Sequence, residues 1–269
     1  MLDYIQKLTV AKDVENLAPF AIRHSKIAKL EKLKNEAFNS NGISSTIYLT
    51  ICFKLYELYT EDEDYDAACN IALNIYQGCE ESKDDDIKKE AILHLTEAYL
   101  NIHDILEAKK YYEKINIGAE DFYYPQYLVC KSQMAKLEKD VEKETNYLRA
   151  AYNRSIKADD PINIQINILA ALCLSYERNR IFDKAFHGYL ELSEQITQNN
   201  YPLTNEQQIS LQVRIATLAT LGKNYTFAIE LFSTLSNVSE KILRDNHPLR
   251  KVIKEKFETT KSYYKNQRV

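Results

Sequence analysis

Turn-forming residues are scarce in this chain of 269 residues, which contains only five glycines and five prolines. Sandwiches, barrels and doubly wound sheets of this length need many tight connections, and glycine and proline supply most of them. Phosphate-binding loops also need clustered glycines, because only glycine lets the backbone approach a phosphate closely. The scarcity therefore argues against sheet-based folds and against nucleotide binding.

Long apolar runs are also missing. No run approaches the roughly 18 residues of a membrane span, and residues 1–20 lack a basic segment followed by an apolar core. The five cysteines are odd in number and form no C-x-x-C pair, which favours buried free thiols in a reducing compartment. With 45% hydrophobic and 28% charged residues, the composition predicts a globular protein of the cytoplasm or nucleus.

Charge is distributed unevenly along the chain. From Lys241 onward, nine basic residues stand against three acidic ones, so this segment carries about six positive charges. Because the net charge is -4, the rest of the chain carries about ten negative charges. We therefore expect an acidic body and a basic C-terminal helix.

What the sequence does contain is a repeated helical pattern. Residues 44–60 place Ile47, Ile51, Leu55 and Leu58 at helical spacing, and after an acidic turn a second helical pattern follows. A short residue recurs near the start of each second helix, at intervals of 40, 37, 40 and 43 residues: Ala68, Ala108, Thr145, Ala185 and Ala228. Such a period predicts an all-α, right-handed α-solenoid of about five antiparallel helical hairpins.

The pattern also divides the chain. We expect leading helices over residues 1–43, a helical-repeat domain over 44–240 and the basic C-terminal helix over 241–269. An irregular all-α bundle with accidental periodicity is the alternative.

Catalytic motifs are missing from the sequence. It contains no phosphate-loop, dinucleotide-binding, zinc-protease or nucleophile-elbow motif. The five histidines never lie three or four residues apart, so no helix face offers two imidazoles to a metal. We therefore predict no catalytic residues, no metal and no cofactor.

Several polar and aromatic side chains are candidates for binding a partner. Asn163 and Asn167 lie one helical turn apart and would present two amides to a peptide backbone; a solvent-exposed polar stripe is the alternative. Arg178 and Arg180 lie in a turn, where they would clamp a carboxylate or phosphate or pair with local acids. The 20 tyrosines are expected mainly to pack between helices, with a binding groove as the alternative.

The C-terminal segment combines positive charge with aromatic rings. Its candidate binding residues are Lys251, Lys254, Tyr263 and Tyr264. This combination suits nucleic acid, but a terminal helix on an acidic repeat domain more often covers the domain's end or docks on a neighbouring subunit. We therefore expect protein partners, with nucleic acid disfavoured and no membrane contact.

The hairpin sequences resemble tetratricopeptide-like repeats. The longer period is similar to the helical arms of proteasome-lid and COP9-signalosome subunits, subunit 4 of the signalosome in particular. The resemblance rests on residues 91–115, with Ala108 after an acidic turn, and on residues 127–153, with Val129 and Cys130 in the matching place. That family continues into a winged-helix module, and the residues after Arg250 have neither the length nor the strand pattern for one.

The resemblance implies a non-catalytic scaffold subunit of a multiprotein assembly, in a hetero-complex or a homodimer. The alternative hypothesis is an intracellular tetratricopeptide-type receptor for a short signalling peptide, in which Asn163 and Asn167 would hold the peptide backbone.

Overall fold

A computed structural model describes residues 18–80 and 82–267 of the chain. Every regular element in these residues is an α-helix. The helices are α1 (Ala18–Asn41), α2 (Thr46–Glu61), α3 (Tyr65–Cys79), α4 (Asp85–Asn101), α5 (Ile105–Tyr112), α6 (Tyr124–Leu137), α7 (Val141–Lys157), α8 (Ile162–Arg178), α9 (Phe182–Gln198), α10 (Asn205–Leu221), α11 (Tyr225–Ile242) and α12 (Pro248–Gln267).

The described helices fall into two compact units. The N-terminal unit extends to Arg154 and the C-terminal unit begins at Ser155, in the last turn of α7. Helices α2/α3, α4/α5, α6/α7, α8/α9 and α10/α11 form five successive hairpins. In the N-terminal unit α1 packs on α2, and in the C-terminal unit α12 packs on α11 and α10. The predicted all-α fold of five helical hairpins is confirmed.

The same turn joins the two helices of every hairpin. Its central residue has a positive φ, between 59° and 65°, in all five hairpins: Glu63, His103, Lys139, Arg180 and Lys223. The N–H of this residue donates to a carbonyl three residues earlier, and the next N–H donates to a carbonyl five residues before it. These two bonds satisfy carbonyls that the end of a helix leaves unpaired. They also offset the roughly 1–2 kcal/mol that a left-handed conformation costs a residue other than glycine.

The turns define the register of the repeat. Five residues after each turn residue, the second helix carries a buried alanine in four of the five hairpins: Ala68, Ala108, Ala185 and Ala228. In the third hairpin this place belongs to Glu144, which is buried, and not to Thr145. The assignment of Thr145 was wrong by one residue, because a threonine next to the true position imitated the small side chain of the other repeats.

Buried leucine and isoleucine form the core of each unit. In the N-terminal unit Leu55, Ile75 and Leu95 are fully buried, and in the C-terminal unit Ile215 and Phe232 are. All five cysteines are free thiols, and four of them are buried, as the sequence predicted. Among the tyrosines, many rings lie against one another between helices, with centroids 4.4 Å apart for Tyr112–Tyr127 and 5.6 Å for Tyr99–Tyr111.

Gly78 packs closely against another segment of the N-terminal unit. It lies inside α3, where an added Cβ would come within 2.6 Å of the Ile43 carbonyl oxygen and 2.7 Å of Leu49 Cδ2. The glycine is therefore required by the close approach of the segment that leads into α2 and not by a turn of its own.

Candidate functional site

A surface groove in the C-terminal unit has the properties of a binding site. It has a volume of about 400 Å³ and lies between α8 and α10, with one residue from α9. The lining residues are Ala170, Leu174, Tyr189, Thr204, Glu206, Gln207, Ser210, Leu211 and Arg214. We call it the Leu174 groove, because Leu174 is an apolar side chain of its wall with 43% of its surface exposed.

Leu174 is exposed because of its place on α8. The opposite face of this helix carries Leu172, Cys173 and Tyr176, which are buried, so the helix presents Ala170 and Leu174 outward, one turn apart. Leu211 of α10 contributes a further apolar wall. An apolar side chain that is half in water gains free energy when a ligand covers it, at roughly 25 cal/mol for each Å² of surface removed from water.

A network around Glu177 holds the charged edge of the groove. Its Oε2 atom accepts a hydrogen bond from the Tyr189 hydroxyl at 2.9 Å and another from Arg214 Nη1 at 2.6 Å. Burial, and then the bond to the Glu177 carboxylate, raise the pKa of Tyr189 far above its ordinary value, so this hydroxyl remains a donor. Only one of the five N–H groups of Arg214 is used in this bond. The guanidinium is therefore fixed in place and still has donors to offer.

The first turn of α10 closes the groove with a capping box. Thr204 Oγ1 accepts from the N–H of Gln207 at 3.2 Å, and the N–H of Thr204 donates to Gln207 Oε1 at 2.9 Å. These reciprocal bonds satisfy two N–H groups at the start of the helix. They also hold both side chains in one conformation at the wall of the groove.

Asn163 and Asn167 are exposed on α8, on the same stripe as Ala170 and Leu174. They do not line the groove itself, but the spacing of these four residues places both amides along the helix, two and three turns before Leu174. Their role in holding a peptide stays a prediction.

Arg178 and Arg180 are both exposed, at the end of α8 and in the turn after it. Arg180 is the turn residue with positive φ, and its N–H donates to the Glu177 carbonyl. The arginine that reaches the groove is Arg214, which sequence reasoning missed. No local signal in the sequence identifies it, because its partner Glu177 is 37 residues away.

The four candidate residues of α12 divide into two groups. Lys251 and Lys254 are exposed, and Lys251 Nζ lies 3.9 Å from a carboxylate oxygen of Glu255. The rings of Tyr263 and Tyr264 lie 6.5 and 6.3 Å from the ring of Tyr225 in α11. The tyrosines therefore hold α12 against the preceding hairpin, while the lysines face water.

No helix in residues 18–80 and 82–267 is long and apolar enough to cross a membrane. The described part of the chain also contains no group of three or more His, Cys, Asp or Glu side chains arranged to hold a metal ion.

The sequence matches no protein-family model, and it matches no curated protein. Solved structures do resemble it. The crystal structure of BtubC (BKLC) from P. vanneervenii matches with a TM-score of 0.61 and 14% identity, over 84% of this chain and 94% of BtubC. A Podosopora anserina kinesin light chain with nearly identical TPR-like repeats matches with a TM-score of 0.51 and 14% identity, over 66% of this chain and 88% of that one.

At 14% identity these similarities concern the fold alone. They agree with the five hairpins and with the turn that recurs in each of them. The chain therefore has the fold of a tetratricopeptide-like helical-repeat protein.

Proposed function

We propose that this protein is a non-catalytic interaction scaffold whose C-terminal unit binds a segment of a partner protein in the Leu174 groove. The observation that carries the proposal is the exposed Leu174 beside a fixed, partly unused guanidinium, that of Arg214. Apolar surface surrounded by a few well-placed polar groups is typical of ligand sites and of the centres of protein interfaces.

The groove suits an extended segment better than a compact ligand. Beyond its apolar floor, the exposed amides of Asn163 and Asn167 continue along α8, and an amide both donates to and accepts from a peptide backbone. The bound segment would place an apolar side chain on Leu174 and Leu211 and an acceptor, such as a carboxylate, near Arg214.

The side chains that line the groove support a binding role. The lining includes three hydroxyl side chains, those of Tyr189, Thr204 and Ser210, but no histidine or cysteine. A hydroxyl nucleophile needs a base within hydrogen-bond reach to become reactive. Thr204 accepts from the backbone of Gln207 in the helix cap, which supports a structural role for this hydroxyl.

Peptide display on the immobilised chain tests the proposal. Peptides selected by the natural protein should bind the Leu174→Lys variant at least about tenfold more weakly, a loss of 1.4 kcal/mol or more, because lysine replaces the apolar contact. Leu106→Lys is the matched control: it makes the same change at a leucine of the N-terminal unit that is 78% exposed. If both variants bind the selected peptides as the natural protein does, the groove is not the binding site.

A receptor for a short signalling peptide is a second candidate, favoured by the position of Asn163 and Asn167 on the stripe that leads to the groove. A free cognate peptide would then raise the melting temperature, and changing both asparagines to alanine would remove the shift. If the protein is a scaffold, the segment that it binds is instead part of a larger partner protein and not a free short peptide.

Narrower assignments belong to the same proposal. We propose that the protein belongs to an assembly related to the COP9 signalosome or proteasome lid, as part of a hetero-complex or as a homodimer. It would be located in the cytoplasm or nucleus. The basic helix α12 would orient a protein partner. Size-exclusion chromatography of the natural complex with mass spectrometry tests membership and stoichiometry together.

A further inference from the structure

The N-terminal unit carries a surface of different chemistry on the first helices of its hairpins. On α4, Glu90 lies one turn before His94 and Glu97 one turn after it, so the three side chains share one face of the helix. Glu57 of α2 follows Tyr56, whose ring centroid is 4.7 Å from that of His94. Burial raises the pKa of Glu90 and the charge of Glu57 adds to this rise, whereas at His94 the same charge only partly offsets the lowering of the pKa by burial. Together with Phe53, whose ring centroid is 5.6 Å from that of His94, the three glutamates form what we call the glutamate surface.

This surface has fewer hydrogen-bond donors than acceptors. Glu90 receives one long bond, from the Tyr123 hydroxyl at 3.4 Å, and Glu97 receives one from the Tyr56 hydroxyl, also at 3.4 Å. The Tyr56 hydroxyl is shared, because it also lies 3.2 Å from the His94 carbonyl oxygen. An ionised carboxylate accepts about four hydrogen bonds, so both groups retain unused capacity.

The nearby lysines already have carboxylate partners, one of them within the surface itself. Lys54 bonds to Glu57, and Lys89 bonds to Asp121 at 2.6 Å. Within residues 18–80 and 82–267, no lysine or arginine forms an ion pair with Glu90 or Glu97. Burial raises the pKa of both carboxyl groups, because removal from water disfavours the charged form.

Two further features indicate which chemical group would supply the hydrogen-bond donors that these carboxylates lack. Aromatic rings lie next to the carboxylates: Phe53 is partly exposed, and Tyr123 contacts Glu90. In addition, Nδ1 of His94 is buried without a hydrogen-bond partner, and burial lowers the pKa of this ring to about 4, so the ring is neutral at pH 7 and does not repel a cation. A guanidinium supplies five donors, carries a positive charge and stacks on aromatic faces, whereas an ammonium is a compact, strongly hydrated charge.

The surface has room for a chain and not only for one side chain. A groove of about 440 Å³ adjoins it, lined by Leu30, Thr50, Ile51, Phe53, Lys54 and Glu57. Phe53 and Glu57 belong to both features, so a segment whose charged side chain meets the glutamates can continue over the apolar residues of α1 and α2.

We propose that the glutamate surface binds an arginine-bearing segment of a partner protein, with the guanidinium at Glu90 and Glu97 and its flat face against an aromatic ring. This site lies in the other unit from the Leu174 groove and does not depend on it.

The test uses the full chain and three labelled peptides: Gly-Arg-Gly-Arg-Gly, the same peptide with lysine, and the same peptide with citrulline, which keeps the shape of arginine without its charge. In fluorescence anisotropy, the arginine peptide should bind saturably and at least tenfold more tightly than the citrulline peptide. It should also bind about threefold more tightly than the lysine peptide, because only the guanidinium stacks and forms paired bonds.

Two double variants separate a site from general attraction to an acidic protein. Glu90→Gln with Glu97→Gln should weaken binding of the arginine peptide at least tenfold, while keeping the shape of both side chains. Glu113→Gln with Glu120→Gln removes the same charge from exposed positions of the same unit and should weaken it less than twofold. Equal weakening by both pairs, or equal affinity for arginine and citrulline, would overturn the proposal.

A readout without mutation accompanies these variants. In the natural protein, the His94 imidazole NMR signal should move in proportion to occupancy by the arginine peptide, and the His187 signal should not. A His94 signal that stays fixed while the peptide binds would place the peptide elsewhere and refute the site. The Leu174→Lys variant should bind the arginine peptide as the natural chain does, which keeps the outcome of this test separate from that of the proposed function.

Discussion

The two units differ at the same position of their repeats. Six residues before the positive-φ turn residue, the first helix carries Glu57, Glu97 and Gln133 in the N-terminal unit, but Leu174 and Thr217 in the C-terminal unit. The buried alanine after the turn, by contrast, recurs in both units. Residues that hold a hairpin together and residues at this position of the first helix are therefore different sets, so the fold persists while this position changes from glutamate or glutamine to leucine or threonine.

Glycine substitutions should produce the largest difference between the units. Gly78→Ala in the N-terminal unit places a Cβ 2.6 Å from the backbone oxygen of Ile43, whereas Gly188→Ala in the C-terminal unit meets the side-chain sulfur of Cys173 at 2.7 Å. Backbone yields less than a side chain, so we expect Gly78→Ala to cost about 1–3 kcal/mol. In Gly188→Ala, the gain in helix propensity, up to about 1 kcal/mol, should offset the cost of moving the Cys173 side chain, so the stability should change little.

Urea unfolding of the two variants measures this difference. A Gly188→Ala variant that loses as much stability as Gly78→Ala would mean that the α8–α9 contact is as unyielding as the contact of α3 with the segment before α2.

Acid should affect the N-terminal unit through His94. Burial lowers the pKa of this ring from 6.5 to about 4, so between these values the unfolded chain binds a proton that the folded chain does not. Stability from this residue is thus present above pH 6.5 and is lost as the pH falls towards 4. At 1.36 kcal/mol per pKa unit, and allowing for the partial exposure of the ring, the loss is roughly 1–3 kcal/mol.

The His94→Gln variant should remove this dependence. The difference in unfolding free energy between the natural chain and His94→Gln should shrink as the pH falls from 6.5 to 4. His187, an exposed histidine of the C-terminal unit, provides the control, since His187→Gln should leave the pH curve within about 0.5 kcal/mol. Parallel curves for His94→Gln and the natural chain would contradict the expectation.

Ion pairs should give the smallest effects. In the N-terminal unit, Lys109 and Glu138 are 45% and 42% exposed and form a simple pair at 2.6 Å. In the C-terminal unit, Glu177 is held by both Arg214 and Tyr189. We expect Lys109→Ala to cost less than about 0.5 kcal/mol and Arg214→Ala about 1 kcal/mol in thermal unfolding. If Lys109→Ala costs more stability than Arg214→Ala, the sharing of Glu177 by Arg214 and Tyr189 adds nothing to the stability of the C-terminal unit.

Much of the fold was predictable from local signals. The spacing of apolar residues gave the hairpins, and the small residue in each second helix gave a period of about 40, because helix pairs that pack closely need a small side chain at the contact. The third repeat departs from this pattern, since Glu144 replaces the alanine. The neighbouring Thr145 was therefore wrongly assigned as the small residue of that repeat. The positive-φ residues were not predictable as such, because none of the five is glycine.

The binding surfaces were predictable only in part. Asn163 and Asn167 were identified by their spacing, and they do lie on an exposed stripe. Leu174 was missed, because an isolated leucine in a helical pattern is usually buried. Arg214 and Glu177 are 37 residues apart, and Glu57 and Glu97 come from separate hairpins, so no local pattern joins them.

The sequence by itself determined that this chain forms helical hairpins with a repeat of about 40 residues, because helix formation, turn formation and close packing depend on residues near one another. Only the tertiary structure decided which exposed residues meet. A groove or a cluster of carboxylates is made by side chains from different helices, and whether each keeps or loses its contact with water depends on neighbours that are distant in sequence. That is why the hairpins could be predicted from the order of residues and the Leu174 groove and the glutamate surface could not.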